Sequence, residues 1–327
     1  MAGEQAAGSG QIPSWAQPQL ATLTKDRFSD PEWLFERKLD GERLLAFRDA
    51  AGLRLLTRND RDVTATFPEV AAALQAQRAG DFVVDGEVVA FRDGQTSFSR
   101  LQQRLGVAHP APALIEDFPV TYYIFDVLFA AGEDVRGRPQ RERKEQLRDL
   151  LSFGGPLSYT EHRVGDGEAF YRQACVDGWE GLIAKRADAP YAEGRTRNWL
   201  KFKCIAGQEF VIGGYTDPQG ARPGLGALLV GYYDGDGRLT YAGKVGTGFS
   251  TASLRSLQAS LSALERDGSP FAVGKPPRSG VHWAEPRLVA QIEFAEWTTD
   301  GLLRQPRFEG LRDDKDPAEV VRETPAP

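Results

Sequence analysis

Two short apolar runs, Trp33-Leu34-Phe35 and Leu44-Leu45-Ala46-Phe47, flank the charged stretch Glu36-Arg37-Lys38-Leu39-Asp40-Gly41-Glu42-Arg43. From Trp33 to Asn59 such runs recur, broken by Asp-Gly and Ala-Gly, which predicts a β-meander. An Asp-Gly pair between two strands is a hairpin signal. The spacing therefore predicts a hairpin with Lys38 at its mouth, held by a sheet. A lysine there is a nucleophile only when its amine is neutral. The free ammonium titrates near ~10.4, so burial or neighbouring cations must lower that value. Arg37 and Arg43 are the cations closest in sequence. Taken alone, the octapeptide also reads as a solvated charged turn, and the rest of the chain has to decide.

The chain has 327 residues, enough for two domains with separate cores. Its 41% hydrophobic and 26% charged content are those of a soluble globular protein. A net charge of −6 argues against a generally basic nucleic-acid binder, so any such surface has to be a local patch. Two cysteines, Cys175 and Cys204, are too few for a disulfide framework and suit a reducing compartment. The three histidines, His109, His162 and His282, form no zinc-spaced cluster with them. No apolar run approaches the ~18 residues of a membrane span, and the N-terminus lacks a signal-peptide layout. These features predict a cytoplasmic protein without a membrane partner.

Residues 1 to about 20 are rich in Gly, Ala, Gln and Pro and read as a loose tail. Pro68 to Arg78 reads as a helix, with Pro near its start and Gly80 as its stop. Phe82 to Phe91 reads as a strand pair interrupted by Asp85-Gly86-Glu87, and Val120 to Phe129 as a further β-run. Helices are expected over Arg141 to Leu151 and Glu168 to Asp177. Short strands are expected over Gly181 to Lys185 and Trp199 to Lys203. A boundary is expected near Ile205-Ala206-Gly207. Beyond it, β-runs at Phe210 to Tyr215, Gly226 to Tyr233, Leu239 to Val245 and Leu288 to Trp297, with a helix over Ser253 to Leu264, fit a small barrel of the oligonucleotide/oligosaccharide-binding (OB) type. Other small β-folds would fit the same count. The expected organisation is a tail over 1–20, a first domain over 21–206, a second over 207–318 and a tail over 319–327.

Several charged residues interrupt the apolar strands. Asp85-Gly86-Glu87 places carboxylates among valines, and Asp126 follows Phe125 in an aromatic strand. Glu180 opens the strand that ends at Lys185. Lys201 and Lys203 alternate with Leu200 and Phe202, so their side chains share one face. Each has a dull explanation as an edge charge, a turn or a snorkelling lysine. As a set they suit a nucleotide: lysines for phosphates, carboxylates for Mg²⁺ or a ribose hydroxyl, a ring for a base. No Gly-x-x-x-x-Gly-Lys-Ser/Thr phosphate loop is present.

Lys-x-Asp-Gly-x-Arg at Lys38, Asp40, Gly41 and Arg43 resembles the nucleophile motif of the covalent nucleotidyltransferases, which are the ATP-dependent DNA ligases, RNA ligases and mRNA capping enzymes. Later motifs of that superfamily follow in order: Asp85-Gly86-Glu87, Tyr123-Ile124-Phe125-Asp126, Glu180 to Lys185, Trp199 to Lys203, and a segment from Arg304 to Lys315. More narrowly, Ser97 to Gln102, Gly226 to Leu229 and Gly243 to Phe249 resemble the ligase domain of bacterial end-joining ligase D. The resemblance runs from about Leu20 to Lys315. Gln305 departs from it, standing where these enzymes commonly show His. Ligase D often carries polymerase and phosphoesterase domains as well. The expectation is therefore a free-standing ligase core, a separate paralogue or an excised domain.

The resemblance implies an α+β chain of two domains: an antiparallel-sheet nucleotidyltransferase (adenylation) domain followed by an OB-fold β-barrel. It implies an enzyme that seals 5′-phosphate/3′-hydroxyl nicks or ends through lysyl-AMP and DNA-adenylate intermediates, in repair or end joining. ATP and Mg²⁺ or Mn²⁺ are the implied cofactors. Nicked or broken double-stranded DNA, with Ku or another end-joining protein, are the implied partners of a monomer at the nucleoid. Lys38 is the implied nucleophile, Glu36 lies near the adenine edge, and Arg43 and Arg58 hold ribose or phosphate. Glu87 binds the ribose hydroxyl and the metal region, Glu180 binds metal, and Phe125 stacks on adenine. Lys185, Lys201 and Lys203 neutralise the α-phosphate, and Arg312 and Lys315 grip the departing pyrophosphate. Arg186, Arg195 and Arg197 join these lysines in a local basic patch over residues 181–205 for DNA. Two other readings stay open: an RNA ligase or GTP-using capping enzyme, and a non-catalytic DNA nick- or end-binding module.

Overall fold

The computed structural model describes residues 12–204, 207–218 and 223–323. The chain folds as two compact units that part after Cys204. Strands and helices are numbered in chain order. In the first unit, one sheet joins β1 (Gln19–Leu23), β12 (Gly194–Lys203), β11 (Gly181–Arg186), β2 (Trp33–Lys38) and β10 (His162–Val164) in that order. The second sheet joins β4 (Gly52–Thr57), β3 (Glu42–Asp49), β5 (Phe82–Arg92), β7 (Val120–Ala130) and β8 (Glu133–Asp134), with β6 (Gln95–Thr96) on β5 and β9 (Leu157–Tyr159) on β7. Helices α1 (Pro68–Gln75), α2 (Phe98–Leu101), α3 (Pro112–Asp117), α4 (Gln140–Leu150) and α5 (Gly167–Val176) complete the unit.

Alternation along the strands assigns the faces. Phe35, Leu182, Ala184, Leu200 and Phe202 turn one face of the first sheet onto Phe170 and Ala174 of α5. In the second sheet, Leu44, Val84, Val88, Tyr122 and Ile124 pack with Val70 and Leu74 of α1 and Leu147 of α4. Each such fully buried large side chain contributes ~1.5–3 kcal/mol. The remaining face of the second sheet meets the first sheet through Phe125 and Trp199, whose ring centroids lie 6.0 Å apart. The cleft between the two sheets is where the charged strand residues collect.

Several sequence expectations change here. No hairpin links β2 to β3, because β2 pairs with β10 and β11 while β3 pairs with β4 and β5. The Lys38 to Glu42 connection therefore crosses from one sheet to the other. Its glycine serves close packing: a Cβ on Gly41 would sit 2.1 Å from the Val88 carbonyl oxygen. Asp85-Gly86-Glu87 does not interrupt its strand, and Phe82–Arg92 is continuous with a register shift at that point. A Cβ on Gly86 would lie 2.5 Å from both the Tyr122 ring and the Tyr123 carbonyl oxygen, so glycine lets β7 approach. The expected N-terminal tail is ordered where it is described. Ile12, Trp15 and Ala16 pack on the Phe125 and Trp199 cluster, and Gln19 starts a strand parallel to β12. Residues 1–11 lie outside the described residues.

In the second unit, β15 (Leu239–Val245), β14 (Leu228–Tyr233), β13 (Gly207–Thr216), β16 (Val281–Glu293) and β19 (Arg307–Leu311) form an antiparallel sheet in that order. The short hairpin of β17 (Glu296–Trp297) and β18 (Leu303–Arg304) and the helix α6 (Thr251–Ser262) accompany it. Leu254, Leu257 and Leu261 form the buried stripe of α6, and Ser250 and Ser253 close its N-terminus as a capping box. This is the OB-fold barrel. The expected C-terminal tail is partly built in: Val320 is buried and its carbonyl accepts from the Tyr233 amide at 2.8 Å. Cys175 and Cys204, read from sequence as reducing-compartment cysteines, form one disulfide that ties the last turn of α5 to the end of β12. Among the described residues no helix is long and apolar enough to cross a membrane.

Candidate active site

Strand register gathers the charged residues on the cleft face of the first sheet. Lys38, Gly181 and Lys203 form one rung, Glu36, Ile183 and Lys201 the next, and Leu34, Lys185 and Trp199 a third. Lys38 closes β2, and its Nζ donates to Oε2 of Glu180 at 2.6 Å. Lys203 reaches the other carboxylate oxygen at 3.9 Å. Burial alone would depress the Lys38 ammonium, but Glu180, Asp40 and Glu87 together hold its pKa above the ordinary lysine value. The two cations closest in sequence point elsewhere. Arg37 alternates to the opposite side of β2, where it lies 4.6 Å from the Trp179 ring. Arg43 points at Asp85, donating through Nε at 2.5 Å and Nη2 at 2.6 Å.

Asp85 is fully buried and also accepts from the Tyr191 hydroxyl at 2.7 Å. Arg43 is thus engaged inside the protein, with its guanidinium 4.4 Å from the Phe125 ring. Glu87, one rung across from Arg43, accepts from the Gly41 amide at 3.1 Å and so fastens the crossing segment behind Lys38. Arg58 stands half-exposed just past the end of β4.

Lys185 stands on the same face as Lys201 and Lys203, one rung beyond Lys201. It lies four residues along β11 from Gly181, about 13 Å at strand rise. There its Nζ is 2.7 Å from Oε2 of Glu36, 4.3 Å from the Phe125 ring and 4.2 Å from the Trp199 ring. Burial pushes the Lys185 ammonium down to about 8, against the pull of Glu36. Glu36 itself resists the upward push of burial and stays below the usual carboxylate range, because Lys144 and Lys185 both face it. Lys144, which sequence reading missed, sits 2.9 Å from Oε1 of Glu36. Its signal was available: Lys144 falls on the Leu147 and Leu151 side of an amphipathic helix. Behind this cluster Asp126 accepts from Arg143 at 2.8 and 3.0 Å and from Gln140 at 3.0 Å.

The residues of the expected basic patch differ in exposure. Lys185 is buried, and Arg186 is paired with Asp188 at 2.8 Å and Glu32 at 3.6 Å. Arg195 and Arg197 stand exposed on β12, Arg195 donating to the Ala21 carbonyl at 2.5 Å. In the second unit Arg312 is buried and holds Asp314 through two 2.8 Å hydrogen bonds, while Lys315 is 2.9 Å from Glu209. Among the described residues no group of three or more His, Cys, Asp or Glu side chains gathers as a metal cage. Magnesium needs less protein than that, since it is held through one or two carboxylates plus substrate phosphates. Glu180 and Glu87, which both act on Lys38, fit such a site.

A strand-end lysine against a carboxylate, further lysines on the same face and a following OB barrel define a covalent nucleotidyltransferase of the adenylation-domain type. The family described as "ATP dependent DNA ligase domain" matches residues 18–203, and "ATP dependent DNA ligase C terminal region" matches residues 221–315. The chain belongs to the ATP-dependent DNA ligases, and is an enzyme of that class. It is 37% identical over 326 residues to "Multifunctional non-homologous end joining protein LigD" of Pseudomonas aeruginosa, covering 98% of this chain and 38% of that one. It is 39% identical over 312 residues to "Multifunctional non-homologous end joining DNA repair protein LigD" of Mycobacterium tuberculosis, covering 94% and 40%. The chain thus spans about two fifths of the length of these relatives. A solved "mycobacterial DNA ligase D complexed with ATP and MES" superposes with a TM-score of 0.67 at 37% identity, covering 94% of this chain and 98% of that one.

Proposed function

We propose that this chain seals nicks or ends in double-stranded DNA that carry a 5′-phosphate and a 3′-hydroxyl, using ATP and a lysyl-AMP intermediate. The observation that carries the reading is the 2.6 Å pair of Lys38 and Glu180 with Lys203 in the same rung. Glu180 is a base within hydrogen-bond reach of the proton that the Lys38 ammonium must lose. The freed amine attacks the α-phosphorus of ATP. The nitrogen–phosphorus bond forms as the bond to the bridging oxygen breaks, and pyrophosphate leaves. The 5′-phosphate of the nick then displaces Lys38, and the 3′-hydroxyl displaces AMP. Lys201 and Lys203 supply positive charge to the phosphoryl oxygens in each transfer. Glu36, Lys185 and Phe125 form the base end of the site, and Arg58 lies toward ribose and phosphate. Glu180 and Glu87 would hold a divalent cation, Mg²⁺ or Mn²⁺, which neutralises phosphate charge. Arg312 and Lys315 belong to the same proposal as cations for the leaving pyrophosphate.

The likeness to proteins named for non-homologous end joining supports a role in end joining. The proposal adds Ku or another end-joining protein as partner and a cytoplasmic monomer that binds DNA through Arg186, Arg195 and Arg197. Binding should weaken steeply with salt. Sealing of a nicked duplex with ATP, beside GTP and NAD⁺, tests the reading. Sealing with ATP alone supports it. Sealing only with GTP or NAD⁺, or of RNA only, overturns it.

A further inference from the structure

We propose that Lys144 is a positioning residue for nucleotide-base recognition: from α4 it fixes the Glu36 carboxylate, and through that carboxylate the ammonium of Lys185. This rests on the reading of Glu36 and Lys185 as the base end of the nucleotide site. Lys144 is fully enclosed, 1% exposed, in a helix whose other charged residues mostly face solvent. Its Nζ donates to the Thr160 carbonyl at 2.6 Å, stands 4.2 Å from the Tyr159 ring and faces Oε1 of Glu36 at 2.9 Å. The carbonyl and the ring anchor the ammonium from the β9 side. The ammonium in turn fixes one carboxylate oxygen, which leaves the other for Lys185 at 2.7 Å.

A buried carboxylate with one cation has a choice of orientations; with two cations on separate oxygens it has one. The groups that face Lys185 are Glu36 from β2, Lys144 from α4 and Asp126 from β7, with Asp126 held by Arg143. His162 of β10 shares the same field, held below its ordinary value by burial and then by Lys144. Removing the Lys144 charge therefore has two consequences. Glu36 becomes free to turn, and Lys185 loses a repelling neighbour, so its proton is held more tightly.

The test is the rate of lysyl-AMP formation against ATP concentration and pH in wild type, Lys144→Met, Lys144→Arg, Glu36→Gln and the Lys144→Met/Glu36→Gln double variant. Lys144→Met should raise the KM for ATP about tenfold with kcat within about twofold, as expected for lost binding made equally in ground and transition states. It should move the titration near pH 8 upward, and Lys144→Arg should restore both values. Because Lys144 acts through Glu36, the double variant should have the KM of Glu36→Gln alone. Lys144→Gln, which keeps a donor for the Thr160 carbonyl, carries the same test if the methionine variant does not fold. An unchanged KM and pH profile, or additive effects in the double variant, overturns the proposal. A wild-type protein that forms no adduct with ATP overturns the functional reading instead.

Discussion

Lys38 and Glu180 are brought together by strand pairing: Lys38 ends β2 directly opposite Gly181, and the carboxylate one residue earlier meets the ammonium at 2.6 Å. With Asp40 and Glu87, the carboxylate holds the Lys38 ammonium protonated against the pull of burial. In the proposed reaction this is the resting state of the lysine, before phosphate and metal would compete for the carboxylate.

That resting state is measurable without turnover. Glu180→Gln removes the largest of the charges that hold the Lys38 pKa up, leaving Asp40 and Glu87 against the downward pull of burial. One unit of pKa is a tenfold change in the neutral fraction. Acetylation of Lys38 at pH 8, followed by peptide mass spectrometry, should be at least about tenfold faster in Glu180→Gln than in wild type. Equal rates would show that Glu180 does not control the proton.

Arg43 and Asp85 form a paired charge inside the first unit, where Asp85 is fully buried. Removing one partner strands the other, at a cost of ~3–5 kcal/mol. Arg43→Ala should lose about that much unfolding free energy in urea, and Arg43→Ala/Asp85→Ala clearly less than the sum of the single changes. Additive losses would mean that the two side chains do not interact.

Gly41 is required by contact and not by a turn, since any Cβ there would overlap the Val88 carbonyl. Gly41→Ala must push the crossing segment off β5, and overpacking of this kind costs ~1–3 kcal/mol. Adduct formation should fall by well over tenfold, because the displaced segment carries Lys38. Retained activity with an unchanged melting temperature would contradict the packing.

Lys185 gives stability a particular pH dependence. Its pKa is near 8 when folded and higher when unfolded, so between these values the unfolded chain binds more protons. Stability should then rise with pH from about 8 towards 10, by up to about 1.4 kcal/mol per unit. Above pH 10 the buried Tyr122 and Tyr191 hydroxyls, which burial keeps protonated, oppose the rise. Urea unfolding at pH 7.5 to 10 should show the rise in wild type and not in Lys185→Met. A flat wild-type curve would rule it out.

The order of motifs, the two-domain α+β architecture and most strands were legible because strand alternation and short apolar runs are local signals. Leu239–Val245 matches its expected strand end to end. What was not legible depended on partners distant in sequence. The Asp-Gly pair at Asp40-Gly41 looks like a hairpin turn, yet the chain crosses between sheets, since only the pairing of β2 with β11 decides where β2 belongs. Gln19–Leu23 begins inside the Gly-, Ala-, Gln- and Pro-rich stretch, where no local pattern marks a strand, and is defined by its pairing with β12. The resemblance set Lys185 beside Lys201 and Lys203; its contact with Glu36, and that of Lys144 with the same carboxylate, depends on strand and helix packing that no local pattern shows.

The most direct measurement is the intact mass of the purified chain after incubation with ATP and Mg²⁺, followed by peptide mapping. One adenylyl group on Lys38, removed by pyrophosphate and absent from Lys38→Ala, is the expected result. The Lys38→Ala protein should still seal a nick whose 5′ end is already adenylylated. An adenylyl group on any other residue, or an undiminished adduct in Lys38→Ala, would contradict the assignment of Lys38 as the nucleophile.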